Sequence, residues 1–123
     1  MSMKLPKVDS ARMEQEWVAD QDVLRNLAAN GDRASVKRAV DVSFRGSEEN
    51  LQRLSEAANT FGLTELDREE DAEGGEPYLF FERFQAVDAQ SIKDLTRTCL
   101  QIEMLFDVEY DGWGCEAQSG TMH

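Results

Sequence analysis

The 123-residue sequence is poor in the residues that several functional classes require. Its one histidine, His123, is the last residue, and its two cysteines, Cys99 and Cys115, are well separated. These absences disfavour a histidine-dependent triad, a four-cysteine zinc site and a disulfide framework. No stretch approaches the roughly 20 apolar residues of a membrane span, and the opening residues lack the apolar run of a signal peptide. We therefore expect a cytoplasmic protein without a membrane anchor, a cofactor or a bound metal.

Basic residues are also scarce. The chain has 13 Lys and Arg against 25 Asp and Glu, which gives a formal net charge of −12. A surface that binds nucleic acid or anionic lipid needs basic side chains to neutralise phosphates, so direct contact with either is disfavoured. Residues 1–64 hold nine basic and ten acidic residues, whereas residues 65–123 hold four and fifteen. Nearly all the net charge thus lies in the second half, and a cationic partner is expected.

The length fits one domain, which we place at residues 9–116 between tails at 1–8 and 117–123. Three stretches have apolar residues at helical spacing: 9–30, 48–61 and 89–106. Ser47 and Asp88 can cap the second and third of these helices, and Gly62 can end the second. Four stretches have the composition of strands: 34–44, 63–66, 77–84 and 108–115.

After the first helix, the predicted order is strand, helix, strand, strand, helix, strand. This order is typical of an α+β ferredoxin-like sandwich, in which two helices cover one face of a four-stranded antiparallel sheet. The other face would be open or partly covered by the extra N-terminal helix. We expect Cys99 and Tyr110 in the core, and Arg38 near the start of the first strand with its guanidinium in water.

The acidic segment at 65–76 contains seven acids, Arg68 and the pair Gly74-Gly75, and it is predicted to be an exposed loop between strands. Such a loop can simply increase solubility, or it can attract a basic partner. The residues available for such a contact are Glu69, Glu70, Asp71 and Glu73.

The last predicted strand carries a second group of acids. Asp107, Glu109 and Asp111 share the parity of a strand, which spaces neighbouring carboxylates by roughly 6–7 Å along one side. Three interpretations are open: a solvated face, a docking strip for arginine side chains, and a divalent-metal or acid–base site. Trp113 has the same parity and could anchor a partner beside these acids. Alternatively it is half-buried at the sheet edge, because Gly112 and Gly114 can bend the strand.

The residues at 105–114, Leu-Phe-Asp-Val-Glu-Tyr-Asp-Gly-Trp-Gly, resemble the closing strand of the bacterial regulator of ribonuclease E activity B family. The element order from Asp9 to Cys115 agrees with that resemblance. It implies a non-enzymatic inhibitor that binds an arginine-rich, noncatalytic region of ribonuclease E and changes which transcripts are degraded. Family members carry a long acidic tail after this strand, whereas residues 117–123 contain no acid, so contacts made by that tail are not expected.

Two other functions remain open from the residues themselves. An RNA-binding module with the same element order would stack bases on the aromatic residues of the third strand, Tyr78, Phe80, Phe81 and Phe84. The net charge and the lack of a basic-Gly-aromatic-Gly motif oppose it. A small metal-dependent domain would use Asp107, Glu109 and Asp111. The sequence does not define an oligomeric state.

Overall fold

A computed structural model describes residues 5–118 of the chain. It is α+β, with a four-stranded antiparallel sheet and three α-helices. In chain order the elements are α1 (Ser10–Ala29), β1 (Arg38–Arg45), α2 (Glu48–Ala57) with a 3-10 turn (Ala58–Phe61), β2 (Thr64–Glu69), β3 (Tyr78–Gln85), α3 (Ala89–Phe106) and β4 (Glu109–Gly114). The strands are arranged in the order β2-β3-β1-β4. Within residues 5–118, no helix combines the length and the apolar character that crossing a bilayer requires.

Local capping explains where the helices begin and end. The side chains of Asp9, Ser47 and Asp88 each accept a hydrogen bond from the backbone N–H three residues further on, at 3.1, 3.1 and 3.2 Å. Each bond satisfies a backbone donor that has no partner inside its helix. Gly62 follows the 3-10 turn with φ 71°, a left-handed conformation that glycine adopts without strain. The caps predicted at Ser47 and Asp88 and the predicted Gly62 stop are confirmed.

The core lies between one face of the sheet and the helices. Val40, Val42 and Phe44 of β1 are fully buried, as is Cys99 of α3, which confirms the core position predicted for this cysteine. The Phe44 ring contacts Tyr110 at 5.5 Å between ring centroids. Burying each of these large apolar side chains stabilises the fold by about 1.5–3 kcal/mol relative to exposure. Packing of the helices on the sheet is therefore the main source of stability.

Helix α1 lies beside α3 on the same side of the sheet. The Asp20 carboxylate of α1 accepts a hydrogen bond from the Thr96 hydroxyl of α3 at 2.6 Å, and the Arg12 guanidinium of α1 lies 3.0 Å from the Glu103 carboxylate of α3. Helix α1 therefore does not cover the opposite face of the sheet, which is open to solvent.

The start of β1 differs from the prediction in two respects, because residues 34–37 precede the strand and the Arg38 side chain is not exposed. The strand begins at Arg38, and the Arg38 side chain is only 4% exposed, so the expected placement of its guanidinium in water is wrong. The guanidinium pairs with Asp32, which is 3% exposed, and donates to backbone carbonyls that include Glu116 at 3.2 Å. Gln118 lies beside this ion pair, and its backbone N–H donates to the Asp32 carboxylate at 2.6 Å. Most of the two predicted tails, residues 1–4 and 119–123, lies outside the described residues.

Strand β2 is longer than the predicted 63–66. It runs to Glu69, with every residue exposed, and therefore takes up the first half of the segment predicted to be a loop. The cause is pairing with β3, in which Glu69 lies opposite Tyr78. Backbone hydrogen bonding to a neighbouring strand thus outweighs the low strand preference of acidic residues.

Candidate functional site

The sheet face opposite the helices is called the open face here. Directly opposed residues of an antiparallel pair point to the same side of a sheet, so the register assigns each side chain to a face. The residues on the open face are Ala39, Asp41, Ser43 and Arg45 of β1, Thr64, Asp67 and Glu69 of β2, Tyr78, Phe80, Glu82 and Phe84 of β3, and Glu109 and Gly114 of β4. Asp111 is exposed in a bulge of β4 beside them.

The open face is strongly acidic. Its strands carry six carboxylates, counting Asp111, and among the described strand positions on this face the single basic side chain is Arg45. That guanidinium is already engaged: it pairs with Asp71, its Nε donates to the Glu76 carbonyl at 3.0 Å, and its Cζ lies 5.0 Å from the centre of the Tyr78 ring. The remaining carboxylates therefore produce a negative potential across the face.

A groove of about 480 Å³ crosses the middle of the open face. Phe80 and Ser43 lie at its centre, from the two inner strands β3 and β1. Four acids and no basic residue are among its lining side chains: Asp41, Asp67, Glu69 and Asp111. A concave surface with an aromatic centre and carboxylates around it suits a ligand that has both a flat apolar surface and positive charge.

The predicted row of three carboxylates is not formed. Asp107 ends α3 in a left-handed conformation with φ 54°, and its carbonyl accepts a hydrogen bond from the Asn50 amide at 3.1 Å. Strand β4 begins only at Glu109, so Asp107 does not share a strand face with Glu109 and Asp111. The latter two are exposed at the open face. Within residues 5–118, no three His, Cys, Asp or Glu side chains are grouped to hold a metal ion.

Trp113 lies on the side of the sheet that the helices cover. Strand β4 has a bulge at Asp111 and Gly112, where Gly112 has φ 108°, and the extra residue reverses the parity of everything after it. Trp113 is consequently opposite the buried Val42, and its indole N–H donates to the Asp20 carboxylate at 2.9 Å. Of the two positions that the sequence leaves open for Trp113, the half-buried one at the sheet edge is confirmed, and Trp113 still contributes to the lining of the groove.

The Asp20 carboxylate joins three elements at this point. It is 2% exposed and accepts hydrogen bonds from Trp113 of β4 and Thr96 of α3. Burial raises the pKa of Asp20 above its ordinary value, although both hydrogen bonds oppose that rise. Asp20 and Trp113 thus hold α1 against the sheet and α3.

The four loop acids occupy different positions. Glu69 is in β2 and lines the groove, whereas Glu70 and Glu73 are exposed beyond the end of that strand. Asp71 pairs with Arg45 and accepts a hydrogen bond from the backbone N–H of Glu73 at 2.9 Å. Asp71 therefore orders the loop between β2 and β3, and the other three acids are accessible to a partner.

The sequence does not identify Asp41 and Asp67 as residues of the site, and it points to Phe80 only within the RNA-binding alternative. Each was present in a predicted strand or loop, but only strand pairing brings them together: Asp67 is opposite Phe80, and Phe80 is opposite Ser43. A usable signal was the alternation in β1, where Asp41 and Ser43 are the polar residues between buried ones.

The aromatic residues of β3 do not form one stacking surface. Phe81 is buried in the core, while Tyr78 and Phe80 lie on the open face with ring centroids 6.3 Å apart. Carboxylates of β2 stand directly opposite both of these rings. Such an arrangement repels the phosphates of RNA, which an RNA-binding sheet must neutralise.

Comparison with known proteins gives the family. A search among curated proteins found no match. The family model described as regulator of ribonuclease activity B matches residues 17–115, a range that contains most of α1 and all of the sheet and the groove. The chain belongs to the regulator of ribonuclease activity B family.

Proposed function

We propose that this protein is a cytoplasmic regulator that binds an endoribonuclease of the ribonuclease E type and lowers or redirects its activity without catalysing a reaction. Membership of this family implies that the protein regulates ribonuclease activity. We assign the β2-β3-β1-β4 sheet, with its helices on one side, to the ferredoxin-like class. The helices cover one face of this sheet, which leaves the open face available to a partner.

The acidity of the open face is the observation that carries this proposal. Six carboxylates face solvent there, and the Arg45 guanidinium on the same face is already paired with Asp71. The partner is then a basic, arginine-rich segment outside the catalytic part of the nuclease. Complementary charge speeds the encounter and selects among partners, and its effect falls as salt screens it.

The proposed contact residues follow from the positions of the side chains. Glu109 and Asp111 of β4 and Glu69 of β2 lie on or beside the open face, and Glu70 and Glu73 extend the negative surface past the end of β2. Asp71 and Trp113 act indirectly, because their polar groups hold Arg45 and Asp20 in place. Asp107 lies outside this surface, at the end of α3.

The test is an RNA cleavage assay with a full-length ribonuclease E-type nuclease, with and without the purified protein. We expect inhibition or a changed set of cleavage products, and detectable binding that weakens as salt increases. The variant Glu109→Lys with Asp111→Lys should lose most of both effects. Unchanged cleavage together with no detectable binding would refute the proposal.

A further inference from the structure

Two neighbouring rows of residues cross the open face in the same pattern. The first row, from β2 to β4, is Glu69, Tyr78, Arg45 and Glu109, and each residue lies opposite the next in the sheet. It places a guanidinium over an aromatic ring between two acids, since the Arg45 Cζ lies 5.0 Å from the centre of the Tyr78 ring. The protein itself therefore contains an arginine side chain on this face, which lies over the Tyr78 ring and pairs with a nearby acid, Asp71.

The second row is Asp67, Phe80, Ser43 and the bulged Asp111. It repeats the order acid, aromatic, third residue, acid, but Ser43 stands where the first row has Arg45. Phe80 is only partly buried and lies in the groove together with both acids of its row and Asp41. The small Ser43 side chain leaves the Phe80 ring accessible to a side chain from another molecule.

We infer that the groove binds an arginine side chain of the partner, with its guanidinium flat on Phe80 and its N–H groups directed at Asp67, Asp41 and Asp111. This inference rests on the proposed function, and it specifies the residue type that the groove recognises. Adjacent strands are about 4.8 Å apart, so Asp67 and Asp111 stand on opposite sides of Phe80 within a span of roughly 14 Å. Directly opposed and diagonal neighbours in a sheet are within reach of a long side chain.

Arginine fits this site better than lysine for a geometric reason. A guanidinium is planar, stacks on aromatic rings and has five donors that suit carboxylates, whereas an ammonium is a compact, strongly hydrated charge. Arginine and lysine peptides of equal charge are attracted equally by the overall electrostatic field of the open face. A difference in their affinities therefore reports on the Phe80 platform rather than on net charge.

The first experiment measures binding of the full chain to two short synthetic peptides, one alternating arginine with serine and the other alternating lysine with serine. We expect the arginine peptide to bind about tenfold more tightly. Phe80→Leu should remove most of that preference, while Phe84→Leu, on the same strand and face but outside the groove, should keep it. Equal affinity for the two peptides, or equal effects of the two variants, would overturn the inference.

The second experiment introduces an arginine side chain into the groove by substitution. Ser43→Arg converts the second row to the pattern of the first, so the new guanidinium should occupy Phe80 and reduce binding of the arginine peptide by about tenfold or more. Ala39→Arg adds the same charge to the same strand and face outside the groove and should have a much smaller effect. Equal loss in both variants would show that charge alone acts, which would overturn the inference. Denaturation by urea verifies that both variants are folded.

The outcome can be separated from that of the proposed function. If the nuclease is bound and regulated equally well by wild type, Phe80→Leu and Ser43→Arg, the groove inference fails and the proposed function stands. If the arginine preference and its loss in Phe80→Leu are observed but no ribonuclease E-type nuclease is bound, the groove inference stands and the proposed function fails.

Discussion

Carboxylates inside the fold and carboxylates on the open face differ in what surrounds them. Asp20 is 2% exposed and the side chain of Asp32 is 3% exposed, and each carboxylate accepts hydrogen bonds from two defined donors. Asp67, Glu109 and Asp111 are exposed and make no ion pair among the described residues. The same chemical group therefore has two uses here. The interior acids hold elements together, and the open-face acids produce a field that a partner can neutralise.

The largest effect should come from breaking the interior pair of Arg38 and Asp32. Arg38→Ala leaves a buried carboxylate without its main counter-charge, which costs about 3–5 kcal/mol of the free energy of unfolding. Denaturation by urea measures this loss. The matched control is Arg25→Ala, whose exposed partner is Asp22, with an expected change of at most about 0.5 kcal/mol. A loss below about 1 kcal/mol for Arg38→Ala would contradict the assigned role of the pair.

The next effect concerns Asp20. Asp20→Ala leaves the Trp113 indole N–H and the Thr96 hydroxyl without their acceptor, at a cost of about 1–3 kcal/mol. Asp20→Asn should be much less harmful, because its amide oxygen can accept from Trp113 and its amide N–H can donate to Thr96. Denaturation followed by tryptophan fluorescence compares the two. Equal destabilisation by Ala and Asn would show that the charge, rather than the hydrogen bonds, is needed.

A pH dependence follows from the raised pKa of Asp20. The folded state binds the Asp20 proton more tightly than the unfolded chain does, because burial disfavours the charged form. The contribution of Asp20 to stability is thus fully present below the ordinary value of 3.8 and is lost as pH rises through the raised pKa. The stability of wild type relative to Asp20→Asn should therefore fall over that range. The pKa of Asp32 is lowered, since hydrogen bonds from Gln118 and Arg38 outweigh the opposing effect of burial. Because Asp32 is present in both wild type and Asp20→Asn, its titration cancels in the difference between their stabilities.

The corresponding measurement is the urea midpoint of wild type and Asp20→Asn at several pH values from 3 upward, with the pH dependence read from their difference. A difference that stays constant, or that changes in the opposite direction, would contradict the environment assigned to Asp20.

The smallest effect on stability should come from the open face. Asp67→Lys changes a side chain that is exposed and surrounded by like charges, so the free energy of unfolding should change by no more than about 0.5 kcal/mol. A urea titration alongside Arg38→Ala tests the comparison directly. A loss above about 1 kcal/mol would mean that this acid, too, stabilises the fold.

The features that the sequence predicted well are local ones. The caps at Ser47 and Asp88 depend on residues three positions apart, and the Gly62 stop depends on one residue's conformation. The spacing of the apolar residues around Cys99 in α3 predicts that this cysteine lies in the core. Local spacing therefore gave the helices, the core stripe of α3 and the α+β class.

The features that it missed depend on residues distant in the chain. The burial of Arg38 requires Asp32 and the return of Glu116 and Gln118, none of which a strand pattern contains. The sequence leaves two positions open for Trp113, because the choice between them depends on a single inserted residue in β4. The sequence predicts the site as two separate acidic segments, whereas its groove arises only where all four strands pair.

We propose that the open face, rather than acidity in general, binds the nuclease. The most direct test is the dissociation constant for a full-length ribonuclease E-type nuclease, measured with two variants of equal charge change. Asp67→Lys with Asp111→Lys alters the open face, and Glu14→Lys with Asp22→Lys alters exposed positions on α1. We expect at least about tenfold weaker binding for the open-face variant and a nearly unchanged dissociation constant for the α1 variant. Equal weakening by the two variants would contradict it.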